Sequence, residues 1–443
     1  MNIKNNVSAV VESKLCNTCG ACFAICPKTA IDYNETVGGY FFPKINSDLC
    51  VNCGLCFKVC PGINFCNSLM NEIPKDPFVG NVIKTYVGKS TNKALFNNSQ
   101  SGGIVSAILA NAFETGKINS AITVIMEEGS PPSPKVKIAK NTEDLFNSQK
   151  SKYCPVPILT ALKDIESIDT PLAIVGLPCH IHGLKNLIDA KPKLKNKIAF
   201  TVGLLCERIM TLSSLDFFLS YLPSKNIKEE DCIINYKDKS ISGYPGDVHV
   251  FSEDKYSTKI KSKVRIQIKD YFTPARCRIC FDKMNVFSDL TFGDPHGIND
   301  VDRKRGETIA IIRSKVGMSI FESFIDSKAI DVRPILLNDI ITGQRIRQKR
   351  QDWAGYINVW GKTFTSIPNY SQIVKEFALK PLLSEKKYNN SLQWSINLDK
   401  FQSRNNLIRY IKYVLWVRSV KNFLLIPKRL SKRLIKFLKS TKK

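Results

Sequence analysis

The chain is expected to fold as an α+β N-terminal module, an α/β body and a basic helical extension, over residues 1–66, 80–335 and 336–443. Three observations predict this. Two four-cysteine runs start at Cys16 and Cys50, so one stretch of sequence repeats near the N-terminus. Helical and strand-like apolar patterns then alternate, as in α/β proteins. From Phe401 to Lys443 there are 13 Lys or Arg and no Asp or Glu, among apolar residues at helical spacing. The 443 residues exceed one ordinary core, and 43% hydrophobic content suits a globular interior.

The cysteine runs carry the clearest chemistry. Cys16, Cys19, Cys22 and Cys26 stand before Pro27, and Cys50, Cys53, Cys56 and Cys60 before Pro61. This is the spacing of bacterial two-cluster ferredoxins, in which the fourth cysteine of each run ligates the other cluster. Cys16, Cys19, Cys22 and Cys60 are therefore expected to hold one [4Fe-4S] cluster, and Cys50, Cys53, Cys56 and Cys26 the second. The N-terminal module thus reads as ferredoxin-like. A structural zinc site needs only two cysteine or histidine pairs, so it explains neither the uninterrupted runs nor their prolines. Met1-Asn2-Ile3-Lys4-Asn5-Asn6 lacks a charged segment leading into an apolar one, so a reducing cytoplasm is expected and a disulfide framework is not.

Residues Asn67 to Asn81 read as a linker. Ile104, Val105, Ile108, Leu109 and Phe113 have helical spacing, and Ala121 to Met126 reads as a strand before a loop at Gly129 to Pro134. Asn141 or Thr142 can cap a short helix, with another expected from Ile158 to Ile165. Strands at Leu172–Val175 and Ala199–Leu205 run into Cys179 and Cys206, and ligands in α/β folds collect beyond strand C-termini. Asp231 to Lys269 reads as strands and turns, Thr308 to Arg313 as a strand before a helix. The sequence after Leu336 reads as helical and basic.

Ser101-Gly102-Gly103 opens the first body helix, where glycines permit close backbone approach and free amides suit a phosphate; a plain helix cap explains it equally. No GxGxxG or GxxxxGK[ST] pattern occurs. Cys277-Arg278-Ile279-Cys280 is a lone CxxC that makes a four-thiolate set only with Cys179 and Cys206. Small buried side chains are its simpler reading.

In this order, Asn98 to Gly103, Ser151-Lys152-Tyr153, Gly176 to His180, Gly203 to Cys206, and Ala275 to Cys280 with Ser288 to Asp294 resemble the family of coenzyme F-420 hydrogenase and dehydrogenase beta subunits. The resemblance covers roughly residues 80 to 330, and an N-terminal ferredoxin is a common attachment in it. It implies an α/β flavin-binding body with FAD near Ser101, Gly102, Gly103 and Lys152, and a third cluster on Cys179, Cys206, Cys277 and Cys280. The activity implied is reduction or oxidation of a deazaflavin or another organic substrate. Similar bacterial proteins also include chlorophyll-pathway reductases and proteins associated with polysaccharide synthesis.

Clusters move single electrons and organic substrates take two, so a flavin would bridge them. An electron donor or acceptor protein such as ferredoxin, or a separate catalytic subunit, is the expected partner. The contrasting reading is a non-catalytic electron-transfer subunit. His180, His182, Glu207 and His296 lie near the motifs, but none is singled out as catalytic. The net charge of +26 follows no nucleic-acid reader motif, so nucleic acid is not expected as a partner. The tail is expected to lie on an anionic membrane surface. Its apolar stripe, Leu407, Ile408, Ile411, Val414 and Leu415, resumes after Pro427 at Leu430, Leu434, Ile435 and Leu438, and no run reaches the roughly 18 residues needed to span. A helix pair docked on the body is the competing reading.

Overall fold

A computed structural model describes residues 6–129, 131–222, 232–252 and 256–420. After the first cysteine run the chain forms a hairpin of β1 (Ile31–Glu35) and β2 (Phe41–Ile45). The body is a mixed α/β unit around one eight-stranded sheet. Its strands are β3 (Lys84–Ser90), β4 (Ser120–Glu127), β5 (Ser133–Ala139), β6 (Leu172–Gly176) and β7 (Ile198–Leu204). After a separate antiparallel sheet of β8 (Ile233–Asp238), β9 (Asp247–Ser252) and β10 (Tyr256–Ile260), the chain returns to the large sheet. There it adds β11 (Leu290–Gly293), β12 (Thr308–Ile312) and β13 (Ile330–Pro334). The spatial order is β13-β3-β12-β11-β7-β6-β4-β5, parallel only from β11 through β7 and β6 to β4.

Six helices matter for the site: α1 (Ile104–Glu114), α2 (Pro178–Ala190), α3 (Ser262–Phe272), α4 (Lys315–Asp326), α5 (Ile346–Thr363) and α6 (404–420). Side chains alternate across a strand, and the sheet is buried on both faces. Ala310 and Ile312 join α1 and α4 in one core. Ile309 and Ile311 point the other way, into a core that also takes in α2, the cysteine module and α5.

Several expectations need correction. Asn67 to Asn81 is no free linker, because Leu69 and Phe78 are fully buried in the shared core. β5 begins inside the expected loop. Ile158–Ser167 forms 3-10 turns broken at Asp164 instead of an α-helix. The Asp231 to Lys269 stretch ends in α3, which was expected to be strand and turn.

The segment after 336 is part of the same core. Trp353, Trp360, Tyr370 and Leu392 are buried in it. Asn369 bonds Phe65 through both its amide oxygen and nitrogen, at 2.8 and 3.0 Å. In α6, Leu407, Ile408 and Ile411 are buried with Tyr40, Phe42 and Phe218, and Val414 and Leu415 pack beside them. Arg404 pairs with Glu35 at 2.5 Å and with Asp216 at 3.3 Å. The expectation that this stripe meets a membrane is thereby corrected, because the protein itself covers it. Pro427 and the second stripe from Leu430 lie outside the described residues. Among those described, no helix is long and apolar enough to cross a membrane.

Candidate iron–sulfur sites

Cys26, Cys50, Cys53 and Cys56 line one hollow of about 360 Å³ near the surface, where Cys53 is exposed between Leu49, Val51 and Asn52. Ala30 donates its amide to Cys26 Sγ at 3.4 Å, a contact that suits a sulfur carrying negative charge. Cys16, Cys19, Cys22 and Cys60 are buried as a second group. Burial pushes the thiols of Cys16, Cys19 and Cys22 well up, and their neighbours, Cys60 among them, push further. Burial likewise pushes Cys60 up to about 11. Crowded buried thiols of this kind become thiolates only against a cation.

The body cysteines form a third group. β6 delivers Cys179 at the start of α2, and β7 ends just before Cys206. Cys277 lies in the short helix Ala275–Arg278, and Cys280 follows its C-terminal end. Asn285 ties the strand ends together, donating to Gly176 O at 2.9 Å and Leu204 O at 3.2 Å. All four line one cavity of about 610 Å³, and Cys16 stands on the same wall. Arg208 Nε, Thr211 Oγ1, and Arg276 Nε and Nη1 belong to residues of that wall and have no hydrogen-bond partner among the described residues. Orphaned buried polar atoms around a thiol-lined cavity fit a sulfur-rich anion. The groups surround hollows and do not converge on a point. Among the described residues no three His, Cys, Asp or Glu side chains could hold a single metal ion.

The module is seated so that the second and third groups adjoin. A Cβ on Gly183 of α2 would lie 3.2 Å from Cys19 Sγ, so the bare glycine suits the helix's close approach to that sulfur. Leu159 N donates to Cys19 O at 3.0 Å. Asn186 donates to Val59 O and Asn64 O, at 3.1 and 2.8 Å.

The residues expected near a flavin are also brought together. Ser151 N donates to Gln100 Oε1 at 3.1 Å, joining the 151–153 stretch to the loop before α1. Gly102 is, however, explained by packing. Its amide donates to Thr308 Oγ1 at 2.9 Å, and a Cβ there would lie 2.4 Å from Gly88 O. Gly103 is left-handed, with φ of 75°, and begins α1 without a side-chain cap. Ser101 carries its carbonyl to Lys239 Nζ at 2.6 Å. Lys152 Nζ donates to Ser148 O and Gln149 O, at 2.8 and 2.7 Å, and burial lowers its pKa to about 7.

Two features escaped the sequence. Tyr153 sits among Lys237, Lys269 and Arg265, 5.4 to 5.7 Å from its ring. Burial would raise its hydroxyl pKa, but Lys237 and Arg265 bring it down. Asp294, after β11, pairs with buried Lys237 at 2.5 Å. A tyrosine inside a recognised motif was the available signal for the first. Lys237 had none.

The histidines take structural places. His180 accepts from Leu177 N at 3.1 Å, and burial lowers its pKa to about 4. His182 meets Asp282 at 2.8 Å, which ties the Cys179 helix to the Cys280 turn. Glu207 is bonded by Lys283 at 2.7 Å and lies 3.8 Å from Lys349. Burial would raise the pKa of its carboxyl, yet these lysines hold it far below the usual range. His296 is mostly exposed, 3.9 Å from Asp294.

The cysteine-lined hollows define an iron–sulfur electron-transfer protein. Residues 15–62 match a 4Fe-4S dicluster domain, 85–163 the N-terminal domain of the coenzyme F420 hydrogenase/dehydrogenase beta subunit, and 169–336 its C-terminal domain. The chain is 30% identical over 348 residues to an uncharacterized protein of Methanocaldococcus jannaschii, spanning 72% of this chain and 89% of that one. It is 27% identical over 371 residues to one of the subunits of the F(420)H(2) dehydrogenase of Methanosarcina mazei, spanning 81% and 96%. A chain of the F420-reducing [NiFe] hydrogenase complex from Methanosarcina barkeri aligns at 21% identity and a TM-score of 0.46, over 62% and 94%. The protein belongs to the family of coenzyme F420 hydrogenase/dehydrogenase beta subunits.

Proposed function

We propose that this chain is an oxidoreductase that carries electrons inward from its surface cysteine group, through the buried groups, to FAD and then to a deazaflavin or another organic substrate. The observation that supports it most is the cavity wall where Cys16 of the N-terminal module stands beside Cys179, Cys206, Cys277 and Cys280. Cys50, Cys53, Cys56 and Cys26 would hold the outer [4Fe-4S] cluster, Cys16, Cys19, Cys22 and Cys60 the inner one, and the four body cysteines a third. FAD, when bound, supplies the exchange between single electrons and a two-electron substrate. The chain's part is to orient and to exclude water. The uncapped start of α1 behind Gly103 offers amides to a phosphate, and Lys239 and Arg305, both over Phe96, add positive charge beside it. The cations around Tyr153 suit an acidic substrate.

Cofactor analysis of anaerobically purified chain, followed by an acceptor panel that includes a deazaflavin, tests this reading. Bound FAD and turnover without a partner are the expected results. With Lys239→Met, flavin affinity should fall roughly tenfold while iron is kept, the loss of one charge-assisted contact. Clusters without flavin or turnover would leave the second reading, a subunit that wires a catalytic partner. Exposed Leu49 and Val51 beside Cys53 favour a partner docked at that point in either case.

The membrane proposal shifts to the outer face of α6. Tyr410, Tyr413, Trp416 and Val420 are exposed there, and the sequence from Lys421 onward has nine Lys or Arg and no acid. Aromatic and basic faces of this kind suit an anionic headgroup layer. Sedimentation with anionic vesicles should be salt-sensitive and weakened by Trp416→Ser; pelleting with neutral vesicles, or none, overturns it.

A further inference from the structure

Arg276 is nearly fully buried, yet among the described residues only its Nη2 has a hydrogen-bond partner, the Tyr370 hydroxyl. Nε and Nη1 have none. A guanidinium stays charged and carries five N–H donors, so an interior that leaves three unmet holds it for an anion nearby. Its position says which anion. Arg276 lies on the wall that carries Cys16, Cys179, Cys206, Cys277 and Cys280. It directly precedes Cys277 of the body group, and Cys16 of the inner group stands on the same wall.

Tyr370 is fixed just as firmly. It is 1% exposed, and its ring lies 4.0 Å from that of Phe65, whose backbone Asn369 holds. The segment after 336 therefore supplies the residue that aims Arg276, while Trp353 donates to Ile279 O at 3.0 Å, between Cys277 and Cys280.

We propose that Arg276 is the shared counter-charge of two neighbouring clusters, on Cys16, Cys19, Cys22 and Cys60 and on Cys179, Cys206, Cys277 and Cys280, with Tyr370 as its positioning residue. The inference rests on the function proposed above. A reduced cluster bears one more negative charge than an oxidised one, so a fixed cation beside both raises both potentials. When one electron passes between them, one cluster is oxidised and the other reduced. The pair's total charge is unchanged, so no proton or ion need follow. Among the described residues the outer group has no buried cation on its wall, and its Lys28 is exposed.

Redox titration of the full chain by electron paramagnetic resonance, with iron counted in each sample, tests this. Arg276→Gln should lower two of three cluster potentials by at least tenfold in the reduction equilibrium, about 59 mV for one electron, and leave the third. Arg276→Lys should recover part of the shift, and Tyr370→Phe should give a smaller shift of the same sign. Unmoved potentials with full iron, or a shift confined to one cluster, overturn the proposal. If Arg276→Gln loses iron, Arg276→Lys and Tyr370→Phe decide by the same criteria. Wild-type protein with only about eight irons, two cubanes, would instead remove the underlying third cluster.

Discussion

The outer and inner cysteine hollows use the same ligands in opposite surroundings. Cys53 and its neighbours Leu49 and Val51 face solvent, with few fixed charges close by. The inner cavity is lined by the N-terminal module and the α/β body, with Arg208, Arg276 and Glu207 on its wall, and the segment after 336 backs that wall through Tyr370 and Lys349. Exposure and buried charge both tune a cluster, so identical thiolates can serve as an entry port at one end and a relay at the other.

The largest way to break this contrast is to remove α6 by ending the chain before residue 404. Leu407, Ile408 and Ile411 would leave a covered core, costing about 4.5–9 kcal/mol at roughly 1.5–3 kcal/mol per side chain. Urea melts should show it; an unchanged midpoint would mean α6 is only a membrane tail. Trp353→Ala should cost about 3–5 kcal/mol, a large-to-small change in a packed core. It should also lose body iron before outer iron, because the Ile279 carbonyl between Cys277 and Cys280 loses its donor. Iron counts after mild denaturation check the order.

Asp294→Asn should cost about 3 kcal/mol by leaving Lys237 buried and unpaired. Burial favours the neutral acid, but Lys237 wins and holds the Asp294 carboxyl below its usual range. The pair's contribution is thus complete above the unfolded carboxylate pKa of about 4 and is lost as pH falls toward the lower folded value. The variant should therefore show a flatter acid limb in a pH series of melts. The smallest expected stability effect, within about 0.5 kcal/mol, is from Leu49→Glu. Stopped-flow reduction by a protein donor should nevertheless slow, while reduction by dithionite stays unchanged.

The cysteine runs were legible because cluster chemistry imposes a short, rigid spacing. The strands at Leu172 and Ala199 were legible too, being nearly continuous apolar runs, as strands buried on both faces must be. α3 was not. Val264, Ile266 and Ile268 alternate with polar residues as in a strand, but Ile266 is exposed, and Arg265, Ile268 and Phe272 form the buried helical face. The role of the last hundred residues was hidden for another reason. Trp353 and Tyr370 are sparse aromatics in a basic sequence, and their partners Ile279 and Arg276 lie far away in the chain. Gly102 looked like a ligand loop because close approach of backbone to backbone needs the same residue as close approach to a phosphate.

Iron and spectral analysis of the anaerobically purified chain decides whether the body cysteines hold a third cluster. The chain should carry about twelve irons in three distinct [4Fe-4S] signals, falling to about eight when Cys277 and Cys280 are both replaced by Ala. Eight irons in the wild type, unchanged by that double substitution, would contradict it.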